Sequence, residues 1–438
     1  VGIQLPGVTD ADHAADLAEL RRLVQTLGYD PVATLSQRRA GTGSGTVLGT
    51  GKLKQLADMT GGPGVIASGA ADRTSKAKER WEAEEEEDEE EPPPAELPEG
   101  GRPTVVVVDH ELSPSQLRNL EKATGVLVLD RTGVIVDIFH RHARSREARM
   151  QVEIARLKYQ APRLRESAGR SERQAGRGAG DSALELDRRK IRDRLAELRD
   201  GLAAVQAEQD QRRHLRKDQL RVALVGYTNA GKSSLMRGLT GSEVLVADQL
   251  FATLDTTVRA LQPETRPRIL VSDTVGFIQK LPHDLVASFR STLDEALEAS
   301  LLLYTVDASD PTWAAQLAVT REVLGEIGAD KVPSRLLLNK CDRLDAEARA
   351  VLQKAHPEAI LLSAHSREDL TALRQTLIDF FEESMVEAEL TVPYDRQGSI
   401  GEVYENARVL SETYDELGRH LKVRSLPAAI ARLVATFK

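Results

Sequence analysis

Residues 221–234, RVALVGYTNAGKSS, restrict the chain to a narrow set of folds. The apolar run VALV reads as a strand, and Gly226-x-x-x-x-Gly231-Lys232-Ser233 follows it directly. That spacing needs glycine where the backbone must curl, so that successive N–H groups face phosphate oxygens. Lys232 then reaches the β- and γ-phosphates, and the Ser233 hydroxyl is offered to Mg²⁺. The helical start SSLMRGL completes the strand–loop–helix context. Gly226, Tyr227, Thr228, Asn229 and Ala230 are therefore expected to line a nucleotide, with Gly231, Lys232, Ser233 and Ser234 after them.

The base is read further on. LLLNKCD (336–342) ends a strand on Asn339, Lys340, Cys341 and Asp342. A carboxylate at Asp342 can accept two hydrogen bonds from the guanine N1–H and 2-amino group. Adenine presents no such pair, so ATP would leave a buried charge unsatisfied. LLSAH (361–365) follows the next strand and brings Ser363, Ala364 and His365 to the base, with the Ala364 backbone at the guanine oxygen. RILVSDTVG (268–276) is another buried strand, ending in Asp273, Thr274, Val275 and Gly276. Asp273 is expected to hold Mg²⁺ through water, and the Gly276 N–H to bond the γ-phosphate, so that losing this phosphate frees the segment beyond Gly276. FATLDTT (251–257) lies between the two phosphate motifs and is the candidate first switch. By spacing alone Thr253, Thr256 or Thr257 could ligate Mg²⁺. The residue after Gly276, often a glutamine that orients the attacking water, is Phe277. The expected core is an α/β, Ras-like phosphate-loop GTPase: a doubly wound, mostly parallel sheet that hydrolyses GTP.

The 438 residues exceed one such domain. Residues 1–140 read as an α/β domain, from the β-branched runs TVVVVDH (104–110) and GVLVLD (125–130) and the Ser-capped helix SPSQLRNLEKA (113–123). The tract EAEEEEDEEE (82–91) repels itself and reads as a solvated insertion. GTGSGTVLGTGKLKQLA (41–57) fails as a second phosphate loop, because Gly45 and Gly51 are one residue too far apart and Leu53 stands where a hydroxyl is needed. It reads as a loop into a helix, with Lys52 able to touch an anion. Residues 141–218 read as a helical hairpin. Met150, Ile154, Leu157, Ala161 and Leu164 make one apolar stripe, and Ile191, Leu195, Leu198, Leu202 and Val205 another. Its tip, residues 166–181, carries Arg170, Arg173 and Arg177. The hairpin is a solvated helix pair or a probe whose arginines meet RNA phosphates and bases. Net charge is −9, yet residues 141–199 hold an excess of roughly eight positive charges, and local field decides attraction to an anion. The G domain is expected over 219–386. In 387–438 AELTVPYDRQG gives a strand and turn, VYENARVLSETYDELG a helix ending at Gly418, and HLKVRSLP a returning strand.

No apolar run approaches the roughly 20 residues that span a bilayer, and no secretory start is visible. The sequence opens on Val1 rather than Met, which leaves a preceding segment open. The single cysteine, Cys341, fits a reducing, cytoplasmic setting.

The set GYTNAGKSS, QLFATLD, DTVGFIQKLP, NKCD and SAH resembles the HflX family of ribosome-associated GTPases. GTGKLKQL, ELSPSQLRNLE, DRTGVIVDIFHRHARSREARMQVEIARLKYQAPRL and LELDRR extend the resemblance over nearly the whole chain. It implies Thr253 as the first-switch Mg²⁺ ligand, with Phe251, Ala252, Leu254 and Asp255 lining the nucleotide. It also implies binding to the large ribosomal subunit and its rRNA, with the hairpin tip near the peptidyl-transferase region, and splitting of stalled or idle ribosomes. The acidic insertion and the tip sequence GRGAGDS depart from the family pattern. The expected protein is a monomer that binds GTP and GDP and turns over slowly until a ribosome stimulates it. The rival readings are a nucleotide-gated switch with negligible turnover and a GTPase that remodels tRNA or other RNA. For the missing glutamine, K⁺ held at Asn229 is a second source of stabilisation. Asparagine plays that part in several GTPases resembling the tRNA-modification type.

Overall fold

Two contact-defined units make up the chain, residues 1–141 with 152–197, and residues 142–151 with 198–438. The computed structural model describes residues 1–43, 45–65, 101–168, 179–214, 219–241, 251, 256–279 and 295–437. The acidic tract, residues 169–178 of the hairpin tip with Arg170, Arg173 and Arg177, and residues 252–255 lie outside them, while 166–168 and 179–181 of the expected tip are helical. Among the described residues no helix is long and apolar enough to cross a membrane.

The first unit is built on short parallel strand pairs. β1 (Gly2–Gln4) pairs with β2 (Ser36–Arg38), and β3 (Val105–Val108) with β4 (Leu127–Asp130). Val1 joins the pairs: its ammonium donates to Val107 O at 2.6 Å, and Asp109 N–H donates to Val1 O at 2.8 Å. α1 (Asp10–Thr26) starts where the Thr9 side chain accepts from Asp12 N–H. α2 (Thr50–Thr60) follows the glycine-rich loop, and Lys52 in it donates to Gln55 Oε1 at 3.0 Å. α3 (Pro114–Thr124) opens on a reciprocal Ser113–Gln116 capping box with proline in the first turn, which satisfies two otherwise orphaned N–H groups. Val47, Val108, Leu120 and Val128 meet in a core from which water is excluded.

α4 (Arg131–His142) grows directly out of β4, and a cluster of buried charge forms at that junction. Arg131 pairs with Asp109 at 2.5 Å and with Glu19. Asp130, fully buried, accepts from Tyr159 Oη at 2.5 Å, Arg163 Nη2 at 2.8 Å and Gly133 N–H at 2.7 Å. Both Tyr159 and Arg163 belong to α5 (Arg146–Ala168), the first long helix of the expected hairpin. Its partner α6 (Ala179–His214) is tied to it by a bidentate Arg194–Glu153 pair. The expected stripe of α6 is its most covered face: Leu198 is buried, and Ile191, Leu195, Leu202 and Val205 are half-buried. On α5 the buried face is wider than the stripe. Gln151, Val152 and Ala155 join Ile154, while Met150, Leu157 and Ala161 are half-buried.

The second unit holds the main sheet, in strand order β10-β9-β8-β5-β7-β6. β5 (Leu220–Gly226), β7 (Ile269–Asp273), β8 (Leu301–Asp307), β9 (Ser334–Asn339) and β10 (Ile360–Leu361) are parallel. Only the edge strand β6 (Thr257–Ala260) runs antiparallel. Every residue of β5 is buried, as befits a strand covered on both faces. Helices α7 (Lys232–Thr240), α8 (Trp313–Glu326), α9 (Ala346–Ala355) and α10 (Arg367–Glu382) complete the doubly wound arrangement.

The C-terminal piece corrects the expectation of a long helix. α11 (Ile400–Asn406) covers only its first part. Residues 408–414 are strand β12, which forms an antiparallel hairpin with β13 (Arg419–Ser425), in a sheet ordered β11-β13-β12 with β11 (Val386–Val392). The Asp415 carboxylate accepts from the N–H groups of Leu417 and Gly418, and Gly418 takes φ +147° against Val392 O, where a Cβ would stand at 2.4 Å. That turn chemistry reverses the chain where helix propensity would have carried it on. α12 (Pro427–Phe437), not anticipated, covers this sheet with Ile430, Leu433 and Phe437.

Arg131 is the guanidinium that pairs with both Asp109 and Glu19 in this cluster. Arg131→Met is expected to destabilise the chain by about 3–5 kcal/mol, read from the first transition in urea unfolding.

Candidate functional site

Strand register brings the expected motifs to one edge of the main sheet. Leu224 lies beside Asp273, Gly226 beside Thr305, and Asp307 beside Asn339, so β5, β7, β8 and β9 present their carboxyl ends together. In an open α/β sheet ligands bind at that edge, where strand order reverses.

The phosphate loop runs from Gly226 to the start of α7. Two of its glycines are obligatory. Gly226 has φ +152°, and a Cβ there would stand 2.1 Å from Thr305 O. Gly231 has φ +92°, and its Cβ would stand 2.2 Å from Asn339 Nδ2. Asn229 is exposed with φ +60°, a left-handed geometry that asparagine tolerates. Lys232 is buried, and its ammonium donates to Gly226 O at 3.0 Å and Tyr227 O at 2.8 Å. Burial lowers its pKa to about 8, against the pull of Asp273 in the other direction. Ser233 Oγ donates to Asp273 Oδ2 at 2.6 Å. A hydroxyl and a carboxylate so close are the hard oxygen donors that Mg²⁺ takes beside phosphate oxygens and water, so this pair fits that ion.

Of the expected first switch, Thr253 with Ala252, Leu254 and Asp255 lies outside the described residues. Phe251 is buried with φ +59°. Thr257 opens β6 directly across from Asp273, and Thr256 precedes it, half-buried.

After Asp273 the chain turns back onto the phosphate loop. Thr274 points inward: its hydroxyl donates to Leu224 O at 2.7 Å, so its side chain serves the sheet and not the nucleotide. Val275 is buried. A Cβ on Gly276 would stand 2.8 Å from Thr228 Cα and 3.1 Å from Lys232 Nζ, which puts this backbone against the loop. Phe277 is buried at 3% exposure and forms a parallel bridge to Tyr227. Phe277 N–H donates to Gly226 O at 3.1 Å, and Thr228 N–H to Phe277 O at 2.8 Å.

On the base side the hub is Asn339, with no exposed surface. Its Nδ2 donates to Ala230 O at 2.8 Å, and its Oδ1 accepts from Ala364 N–H at 3.0 Å. The Ala364 N–H expected at the guanine oxygen is thus used within the protein. Lys340 takes φ +61° and donates to Asp307 Oδ2 at 2.7 Å. Cys341 turns away, its thiol buried toward Leu338 O. Asp342 is exposed on the base loop. A hydrogen bond from Ser363 leads the causes that hold its pKa below the usual carboxylate range. Ser363 N–H is itself fixed by Asp369 Oδ2 at 2.7 Å, and His365 N–H donates to Ser363 Oγ at 3.2 Å. Sequence reasoning missed Asp307 and Asp369. Asp307 had a signal, an acid ending the strand LLLYTVD at this same edge.

A doubly wound sheet with a glycine-pinned phosphate loop, a serine–aspartate pair for Mg²⁺ and an asparagine-braced base loop defines a phosphate-loop GTPase. Residues 221–340 match the family described as 50S ribosome-binding GTPase, 142–216 the GTP-binding GTPase middle region, and 14–66 with 95–140 the GTP-binding GTPase N-terminal region. The GTPase HflX of Gluconacetobacter diazotrophicus is 69% identical over 433 residues, covering 99% of this chain and 96% of that protein. The GTPase HflX of Escherichia coli (strain K12) is 34% identical, covering 86% and 82%. A GTP-binding protein from Sulfolobus solfataricus, solved in complex with GDP, is 23% identical with a TM-score of 0.42, covering 86% of this chain and 97% of that one. The chain belongs to the HflX family of GTPases, and it binds and hydrolyses GTP.

Asn339→Asp keeps an acceptor for Ala364 N–H but replaces the donor to Ala230 O with a second oxygen. We expect it to lower stability by about 1–3 kcal/mol in urea unfolding and to weaken GDP binding in parallel.

Proposed function

We propose that this chain is a cytoplasmic, monomeric GTPase that binds the large ribosomal subunit in its GTP state, promotes separation of the subunits and leaves after hydrolysis. The observation that carries the reading is the match of residues 221–340 to a 50S ribosome-binding GTPase, on a sheet edge carrying Lys232, Ser233, Asp273 and Asn339. The surplus positive charge of 141–199 supports rRNA as the partner of the hairpin and of Arg170, Arg173 and Arg177. In this reading four domains divide the work: an N-terminal domain (1–140), the hairpin (141–218), the G domain (219–386) and a small C-terminal domain (387–438).

Lys232 exchanges its two backbone carbonyls for β- and γ-phosphate oxygens and opposes the charge that builds there in the transition state. The Gly276 N–H, close to Lys232, senses the γ-phosphate. Asp342 and the loop Ser363–His365 select guanine. Ser233 and Asp273, with Thr253, would hold Mg²⁺, which would supply positive charge against the phosphates. Phe277 cannot orient water, and its burial makes it an anchor. The ribosome is then the activator, ordering 251–257 and 277–282 so that backbone groups place the water. The left-handed turn at Asn229 accounts for an asparagine there without K⁺.

Co-sedimentation with purified large subunits is expected with a non-hydrolysable GTP analogue and not with GDP. Multiple-turnover hydrolysis should rise at least about tenfold on adding large subunits, equally in K⁺ and Na⁺. Absence of stimulation in both salts would refute ribosome activation, and a rate that needs K⁺ would move the role to Asn229.

The Lys232 ammonium gives a pH signature. Its pKa in the free protein is about 8, and phosphate contact raises it. Below pH 8 the cation is present in both states and affinity is flat on this account. Above pH 8 binding must take up a proton, and GTP affinity falls toward about tenfold per pH unit. Calorimetry in buffers of differing ionisation enthalpy should show proton uptake near zero at about pH 7 and approaching one at about pH 9.

A further inference from the structure

The pairing of β5 with β7 stops at Leu224–Asp273 and resumes at Tyr227–Phe277, with one additional residue on the β7 side. Such an extra residue bends the strand that carries it. Here it displaces Thr274–Gly276 from the ladder and sets Gly276 against Thr228 and Lys232. The displaced segment is held at both ends. Upstream, Thr274 is bonded to Leu224 O. Downstream, Phe277 and Ile278 are buried, and Gln279 N–H donates to Tyr227 Oη at 2.6 Å. Tyr227 is itself buried, and its carbonyl accepts from Lys232. One residue of the phosphate loop therefore touches both the phosphate-binding lysine and the segment beyond the sensing glycine.

We propose that Tyr227 is a positioning residue for GTP hydrolysis: its hydroxyl, by accepting from Gln279 N–H, holds the segment after Gly276 in the register that keeps the Gly276 backbone beside Lys232. This rests on the reading of Gly276 as the γ-phosphate sensor. Sequence spacing assigned Tyr227 to the nucleotide, and the structure assigns its side chain to the segment that must be ordered for hydrolysis. Binding draws on the whole loop, whereas hydrolysis also needs the register of 276–279. The hydroxyl should therefore act on the chemical step and not on affinity.

Tyr227→Phe keeps the ring and removes this acceptor. In the full-length chain, single-turnover GTP hydrolysis is expected to slow by about fivefold to tenfold, with GTP and GDP affinity within about twofold of wild type. Phe277→Ala loosens the same segment from its apolar side, so the two substitutions should be non-additive in a double-mutant cycle. Hydrolysis at the wild-type rate in Tyr227→Phe overturns the proposal, and so does a loss of affinity that matches the loss of rate. Gly276→Ala separates the underlying reading. If Gly276→Ala hydrolyses GTP normally, Gly276 is not the sensor and the proposal falls with that reading. A slow Gly276→Ala beside a normal Tyr227→Phe refutes the clamp alone.

Discussion

The side-chain amide of Asn339 is the contact on which the nucleotide edge depends. It donates to the phosphate loop and accepts from the base loop, and neither strand pairing nor apolar packing could tie those two loops directly. The bond to Ala230 O is made away from water, where a lost partner leaves a polar group unsatisfied and costs more than the bond itself contributes. The same amide explains why Gly231 must be glycine, since a side chain there would collide with it. Loops that bind phosphate and base are thus one structure, although they lie about a hundred residues apart in sequence.

Around this brace, the polar groups of the site find partners within the protein. Lys232 rests on two carbonyls, Ser233 on Asp273, Lys340 on Asp307 and Asp342 on Ser363. Each ties a side chain in place at modest net energy, because a hydrogen bond within the protein largely replaces one to water. Groups held this way need little reorganisation to meet a ligand, which is the requirement for electrostatic stabilisation.

The sheet and the phosphate loop were legible because their signals are geometric: a buried run, glycines at fixed spacing, a lysine and a hydroxyl. Ser113 with Pro114 similarly announced α3. The roles of Asn339 and Ala364 were not legible, because each bonds a residue distant in the chain. VYENARVLSETYDELG misled because Glu, Ala and Leu favour helix, while Val409, Thr413 and Tyr414 suit the sheet they actually join. α12 carried readable signals in Pro427 at its start and in Ile430, Leu433 and Phe437 on one face, but it was not anticipated.

Cys341 is the single cysteine of the chain, and it lies within the base loop with its thiol buried toward Leu338 O. Burial raises its pKa, so little reactive thiolate forms in the closed arrangement. A thiol reagent added to the intact protein therefore addresses one buried position, and its rate of labelling reports how often that position becomes accessible.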